Sequence, residues 1–167
     1  MATAPRVRTS EAEVGREHLL FELGGERYAL DILSVQEIIG MVTTVPVPQS
    51  PPDLVGVIDL RGRVVPIVDL RRRLELRCAR EAERPCIIIL NLGEGEHRKI
   101  GVVVDRVLSV HGLRDEEIEG PPRIGSEALT PHVRGIARIR GEVVLILDVE
   151  SLFVDVPADP ESELAVR

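Results

Sequence analysis

Val55-Gly-Val-Ile-Asp-Leu-Arg-Gly-Arg-Val-Val-Pro-Ile-Val-Asp-Leu-Arg71 holds two apolar runs, Val55 to Leu60 and Val64 to Val68, joined through Arg61-Gly62-Arg63. Short runs rich in Val and Ile, broken by a glycine able to take left-handed backbone, spell a β-hairpin. Asp69 closes the second strand, and its carboxylate is placed to cap a short helix over Leu70 to Leu74. The same unit returns 79 positions later. Pro52, Gly56, Arg61, Gly62, Val64, Val65, Ile67 and Asp69 have identical counterparts in Pro131, Gly135, Arg140, Gly141, Val143, Val144, Ile146 and Asp148, and Phe153 answers Leu74. A weaker echo, 72 positions apart, joins Ala29 to Val35 with Gly101 to Val107. The chain therefore reads as two copies of one β unit.

Outward from this segment, His18 to Leu23 and Arg27 to Ile32 form a strand pair turning at Gly24-Gly25. Cys86 to Leu92 and Lys99 to Val104 flank a turn containing Gly93 and Gly95 in the same manner. Ser34 to Ile39 is too short for periodicity to separate helix from strand. Val45 to Pro52 carries four prolines, which supply no N–H to a ladder, so it is a loop, an edge or an extended connector. The polar ends, 1–16 and 156–167, predict disordered tails around one folded unit over 17–155. Each copy holds four or five short strands, which bury both faces of a sheet only by closing into a small barrel. The expected fold is all-β with short helices, in two β-barrel lobes packed side by side with a groove between them.

Composition excludes several functions. The 167 residues are 44% hydrophobic and 29% charged, the balance of a soluble globular chain. Aromatics supply only 2%, so Val, Ile and Leu must pack the core. A net charge of -7 with so few stacking faces points away from nucleic acid and from anionic lipid. The absence of a long apolar run predicts a cytoplasmic protein without membrane insertion. Cys78 and Cys86 form neither a disulfide framework nor a ligand pair, and His18, His97, His111 and His132 have no metal-site spacing. No serine sits in a Gly-x-Ser-x-Gly elbow, and Gly93-Glu-Gly95 lacks the third glycine of a nucleotide loop, so no cofactor is expected. Asp69 and Asp148 are pseudo-symmetric carboxylates on two lobes, the layout of an aspartic hydrolase. Leu70 and Val149 follow them in place of the Thr-Gly or Ser-Gly such an enzyme uses, and helix capping fits better. Arg71-Arg72-Arg73 reads as a solvated basic face, and Asp115 to Glu117 with Glu119 as a wet helix start.

The Val55 to Arg71 segment resembles the hallmark of the CheW family of bacterial chemotaxis adaptors, Gly-Val-x-Asn-Leu-Arg-Gly followed by Val-Pro-x-Val-Asp-Leu. Ala29 to Ile38, Ile88 to Leu92, Gly101 to Val107 and Gly135 to Asp148 match in the family's order, so the likeness spans about Glu17 to Phe153. Asp59 departs from it, standing where the family commonly has Asn. The resemblance implies two SH3-like five-stranded barrels with an apolar cleft between them. It implies a non-enzymatic adaptor that binds the cytoplasmic tip of chemoreceptors and the regulatory domain of the histidine kinase CheA, recruited to receptor arrays. Within it, Val35, Glu37 and Ile38 match a stretch associated with receptor contact, and Arg61 and Gly62 match the turn of the same region. A Glu37–Arg61 ion pair is expected to orient that turn, with Val107 and Val110 lining the cleft from the second lobe.

Overall fold

The protein is described by a computed structural model covering residues 15–78, 80–93, 98–121, 123–124, 127–128 and 131–154. Along the chain run β1 (Arg16–Leu23), β2 (Glu26–Asp31), a 3-10 turn (Ile32–Ser34), β3 (Val35–Gly40), β4 (Leu54–Leu60), β5 (Arg63–Asp69) and α1 (Leu70–Arg73). Then follow β6 (Cys86–Asn91), β7 (Lys99–Val104), β8 (Arg106–Leu113), a 3-10 turn (Asp115–Glu117), β9 (Arg123–Ile124), β10 (Glu127–Ala128), β11 (Val133–Ile139), β12 (Glu142–Leu147) and α2 (Val149–Leu152). The segment that periodicity left open is strand β3, alternating half-buried and exposed residues. Asp31 ends β2 by accepting the Leu33 N–H at 2.9 Å, which starts the turn leading into β3. Asp69 caps α1 by accepting the Arg71 N–H at 3.0 Å, and Asp148 caps α2 through the Ser151 N–H. The first strand begins at Arg16; most of both expected tails, together with Gly95 and His97, lies outside the described residues.

Strand pairing differs from what the repeat predicts. Each copy does not form its own sheet. Sheet I has the order β11-β12-β2-β1-β8 and sheet II the order β3-β6-β7-β5-β4, five strands each. The opening hairpin of the first copy, β1–β2, therefore lies among the later strands of the second copy, and β6–β7 lies among those of the first. The two sheets match in register. Parallel pairing sets Ile67 against Gly101 in sheet II and Ile146 against Ala29 in sheet I, and those residues are equivalent by both offsets. In each sheet a connector folds back on the first strand of the late hairpin, by the Val45–Val57 bridge and the Glu119–Ile136 bridge. A glycine permits both approaches, since a Cβ on Gly56 would sit 2.5 Å from the Val45 carbonyl and one on Gly135 would sit 2.7 Å from that of Glu119.

The exchange has an energetic reason. A short two-faced sheet must cover both faces, and here one face of each sheet meets the other sheet. Leu19, Phe21, Leu23 and Leu30 of sheet I pack with Ile88, Leu90, Ile100 and Val102 of sheet II, and Val149, Leu152 and Phe153 close the cluster. The inward faces form two smaller cores, around Leu20, Ile139 and Ile146 in sheet I and around Ile58, Val65 and Ile89 in sheet II. This central cluster is where the two sheets meet. Burying each Leu or Ile side chain is worth about 1.5–3 kcal/mol, so the shared cluster contributes a large part of the burial.

Arg71 and Arg73 are not on a solvated face, contrary to the expectation from their run. Both are mostly buried, and only Arg72 is largely exposed. The Arg71 guanidinium donates to both oxygens of Asp105, at 2.8 and 2.6 Å, and to the Arg80 carbonyl at 2.8 Å. Asp105 also accepts the Gly24 N–H at 2.7 Å, so this pair ties α1 to the β1–β2 turn of the other sheet. Arg73 donates to Asp53 at 2.6 Å and to the Leu152 carbonyl at 3.0 Å, while stacking over Phe153. Charge-assisted bidentate pairs screened from water are costly to break one partner at a time. Replacing Asp105 by Ala is expected to destabilise the protein by about 2–4 kcal/mol in urea unfolding, and a loss under about 0.5 kcal/mol would contradict this role.

His18 is fully buried in β1. The Arg134 guanidinium, which only donates, lies 3.1 Å from its Nε2, so Nε2 accepts and Nδ1–H donates to the Arg16 carbonyl at 3.1 Å. Burial, with the Arg134 charge adding to it, holds its pKa below the usual 6.5. Below that value the unfolded chain takes up a proton that the folded chain refuses, so stability falls as pH drops through it and is insensitive to this group above it. Thermal unfolding followed from about pH 7.5 to about pH 5.5 should show a falling midpoint, and His18→Gln should flatten that slope.

Candidate functional site

The β4–β5 hairpin turns through Arg61 and Gly62, both with positive φ (53° and 85°). This is the backbone of a primed two-residue turn, whose twist suits the flanking strands. Gly62 adopts it freely, whereas a side chain in that region costs roughly 1 kcal/mol at Arg61. Two carboxylates hold the turn. Asp59 accepts the Gly62 N–H at 2.7 Å; Asp59 thus fills, through one oxygen, the acceptor role open to the family's Asn. Glu37 on β3 takes the Arg61 guanidinium in a two-pronged pair, at 2.5 and 2.7 Å from Nη2 and 2.8 Å from Nη1. The expected Glu37–Arg61 pair is therefore present, and it links the edge strand β3 to the turn at the far side of the sheet. Lys99, buried in β7, donates to the Gln36 side chain, whose amide donates to Glu37 at 3.3 Å.

Exposed apolar side chains occur on β3, on the connector that follows it and on β4. Ile38 is 43% exposed, and Met41, Val42, Val45, Val47 and Val55 are exposed beside it in sequence. Four of these six lie on the connector between β3 and β4, which among the described residues pairs with the sheet only through the Val45–Val57 bridge. The sequence leaves this segment as a loop, an edge or an extended connector and singles out none of these side chains; the available signal was an apolar content unusual for a segment so rich in proline. Val35 begins β3 and packs half-buried against the central cluster. Val107 and Val110 sit apart from this group, on β8 of sheet I: Val107 packs on the central cluster and Val110 faces solvent.

The likeness to known proteins has the same extent as this fold. The model of the CheW-like domain matches residues 17–156. The chain belongs to the CheW family. It is 36% identical over 139 residues to "Chemotaxis protein CheW" of Klebsiella aerogenes, covering 83% of this chain and 82% of that protein. It is 33% identical over 139 residues to the chemotaxis protein CheW of Rhizobium meliloti, covering 83% and 88%. Among solved structures, the scaffolding protein TtCheW of Thermoanaerobacter tengcongensis aligns with a TM-score of 0.74 at 30% identity, covering 87% of this chain and 96% of that one. The chain is accordingly a CheW-type chemotaxis coupling protein with a scaffold's mainly β fold.

Other chemistry finds little support in the geometry. Among the described residues no three His, Cys, Asp or Glu side chains converge as a metal site. Asp69 and Asp148, the carboxylates an aspartic mechanism would need, each serve their own helix cap. Among the described residues no helix is long and apolar enough to cross a membrane. A hollow of about 510 Å³ beside Arg71, Arg80 and Asp105 is lined mainly by charged groups. Because the Arg61 side chain is 65% exposed, its pair is screened and contributes at most about 1 kcal/mol. Glu37→Ala is therefore expected to lower unfolding free energy by less than about 1 kcal/mol while freeing the turn, measurable as faster amide exchange at Gly62.

Proposed function

We propose that this CheW-family chain is a non-enzymatic adaptor that joins the cytoplasmic tip of chemoreceptors to the regulatory domain of CheA. The receptor tip docks on the Glu37–Arg61 face, and the adaptor is thereby held at membrane-associated arrays. The observation that carries this reading is an ion pair of small structural worth, fixed in a strained turn, on a sheet whose β3, β4 and the connector joining them leave Ile38, Met41, Val42 and Val55 exposed. A rigid charged group together with exposed apolar side chains is what a helical partner needs: the charges set register, and the apolar contacts expel water. Val35, Glu37, Ile38, Arg61 and Gly62 supply this face, and Val107 with Val110 belongs to a separate region. Coupling requires that these contacts differ between receptor signalling states, since equal affinity for both transmits nothing.

A second reading keeps the same surfaces but changes the pathway. The chain is 28% identical over 149 residues to Protein FrzA of Myxococcus xanthus, covering 88% of this chain and 91% of that one. That likeness supports a scaffold for another chemosensory-type kinase, such as one governing gliding or pilus motility, and binding assays against candidate kinases separate the two.

Arg61→His tests the first reading. Receptor-dependent stimulation of CheA in co-sedimented membranes should fall about tenfold, as losing one oriented interface charge implies, while the unfolding midpoint moves by less than about 3 °C. Full stimulation by the variant, or its unfolding, would remove Arg61 from the interface.

A further inference from the structure

Lys99, at the start of β7, is only 7% exposed, and a buried ammonium must direct its donors at nearby acceptors. In sheet I the residue 72 positions earlier is Arg27, which has a carboxylate directly across the ladder, Glu22, and reaches it at 3.6 Å. Arg27 also pairs with Glu142 on the neighbouring strand. The residue directly across from Lys99 is the uncharged Asn91. Lys99 donates to Oε1 of Gln36, two strands away on β3. Gln36 reaches it from a bulge: the register passes from Val35–Leu90 to Glu37–Ile89, so Gln36 has no residue opposite it on β6. Bulges of this kind re-aim side chains. On β8 the register likewise skips Leu108, a side chain with no hydrogen-bonding group, which packs against the sheet I core.

The Gln36 amide lies between opposite charges. Its oxygen accepts from the Lys99 ammonium, and its Nε2–H donates to Glu37 Oε2 at 3.3 Å. That carboxylate oxygen also accepts from both Nη groups of Arg61, at 2.8 and 2.7 Å. An ammonium only donates, so it admits one orientation of the amide, with the oxygen toward Lys99 and the NH2 toward Glu37. The amide dipole then runs with the field between cation and carboxylate, and each bond strengthens the other. Reversed, the amide would set N–H against the ammonium and a carbonyl against the carboxylate. Lys99 thus secures for Glu37 a second donor besides the guanidinium.

We propose that Lys99 is a positioning residue for the Glu37–Arg61 pair, acting through Gln36 from within the sheet. With Gln36 held, Glu37 meets a partner already oriented, and less side-chain freedom is lost when the receptor tip docks. Its part in recognition rests on the receptor-face reading above, whereas the relay from Lys99 to Glu37 is internal to the chain and is tested without any partner.

The test is amide hydrogen exchange at Gly62, in the turn that the pair orients, measured on the full chain. Lys99→Met keeps an unbranched side chain and removes the donor; it should speed Gly62 exchange about threefold, and Gln36→Leu should do the same. In the Glu37→Ala background neither change should add anything, because the relay then ends on no carboxylate. Gln36→Glu still satisfies Lys99 but has no N–H for Glu37. It should speed Gly62 exchange without lowering the unfolding midpoint, which separates orientation of the pair from the mere satisfaction of a buried cation. Gln36 is exposed, so its two variants carry the test should Lys99→Met fail to fold. Receptor-dependent stimulation of CheA should fall about threefold in Lys99→Met and in Gln36→Leu, less than in Arg61→His. Unchanged Gly62 exchange in these variants, or an equal increase in the Glu37→Ala background, would overturn the relay, and faster exchange with full stimulation would overturn its part in recognition. Full stimulation by Arg61→His would overturn the receptor reading, while exchange coupled to Glu37 would still support the relay.

Discussion

Two small sheets, each of five strands, must share one face, and the side chains between them form the largest cluster in the molecule. Neither sheet has the area to bury both faces on itself, so the packing of Phe21, Leu30, Leu90 and Val102 against one another fixes everything attached to the sheets. Exchange of the opening hairpins makes that packing inseparable from strand pairing. Because β1–β2 pairs with β8 and β12, and β6–β7 with β3 and β5, each sheet contains both halves of the chain. The two halves of the sequence cannot part without breaking ladders in both sheets, while the sheets themselves are held to each other by the shared apolar cluster.

The arginines divide by burial into distinct roles. Arg71 and Arg73 sit where water is scarce, each with a carboxylate and a carbonyl, and they lock the short helices onto the sheets. Arg61 makes an equally close pair in solvent, where screening leaves it little to contribute to folding. An oriented charge that stability does not need is available for recognition. Its counterpart Arg140, in the same backbone, has no such internal partner among the described residues.

Several of the exposed apolar residues fall on the connector between β3 and β4. The β3–β4 connector is kept near β4 by the Val45–Val57 bridge and by a glycine beneath it, while its prolines forbid further pairing. Its Val and Met side chains have no interior to enter and remain outside, next to Ile38. The corresponding bridge in sheet I involves Glu119 in place of Val45.

Local conformation was legible before any coordinates. The hairpin at Arg61-Gly62, the caps at Asp69 and Asp148, the turn at Gly24-Gly25 and the Glu37–Arg61 pair all follow from residue types at short separations or from the family likeness, because φ preference and capping are properties of a few neighbouring residues. Which copy's hairpin joins which sheet was not legible, since both pairings use identical strands with identical alternation. Only the burial shared by distant residues separates them. The same holds for Arg71 and Arg73: their neighbours in sequence say charged, while the carboxylates and carbonyls brought to them by distant segments decide that each is a buried tie and not a solvated group.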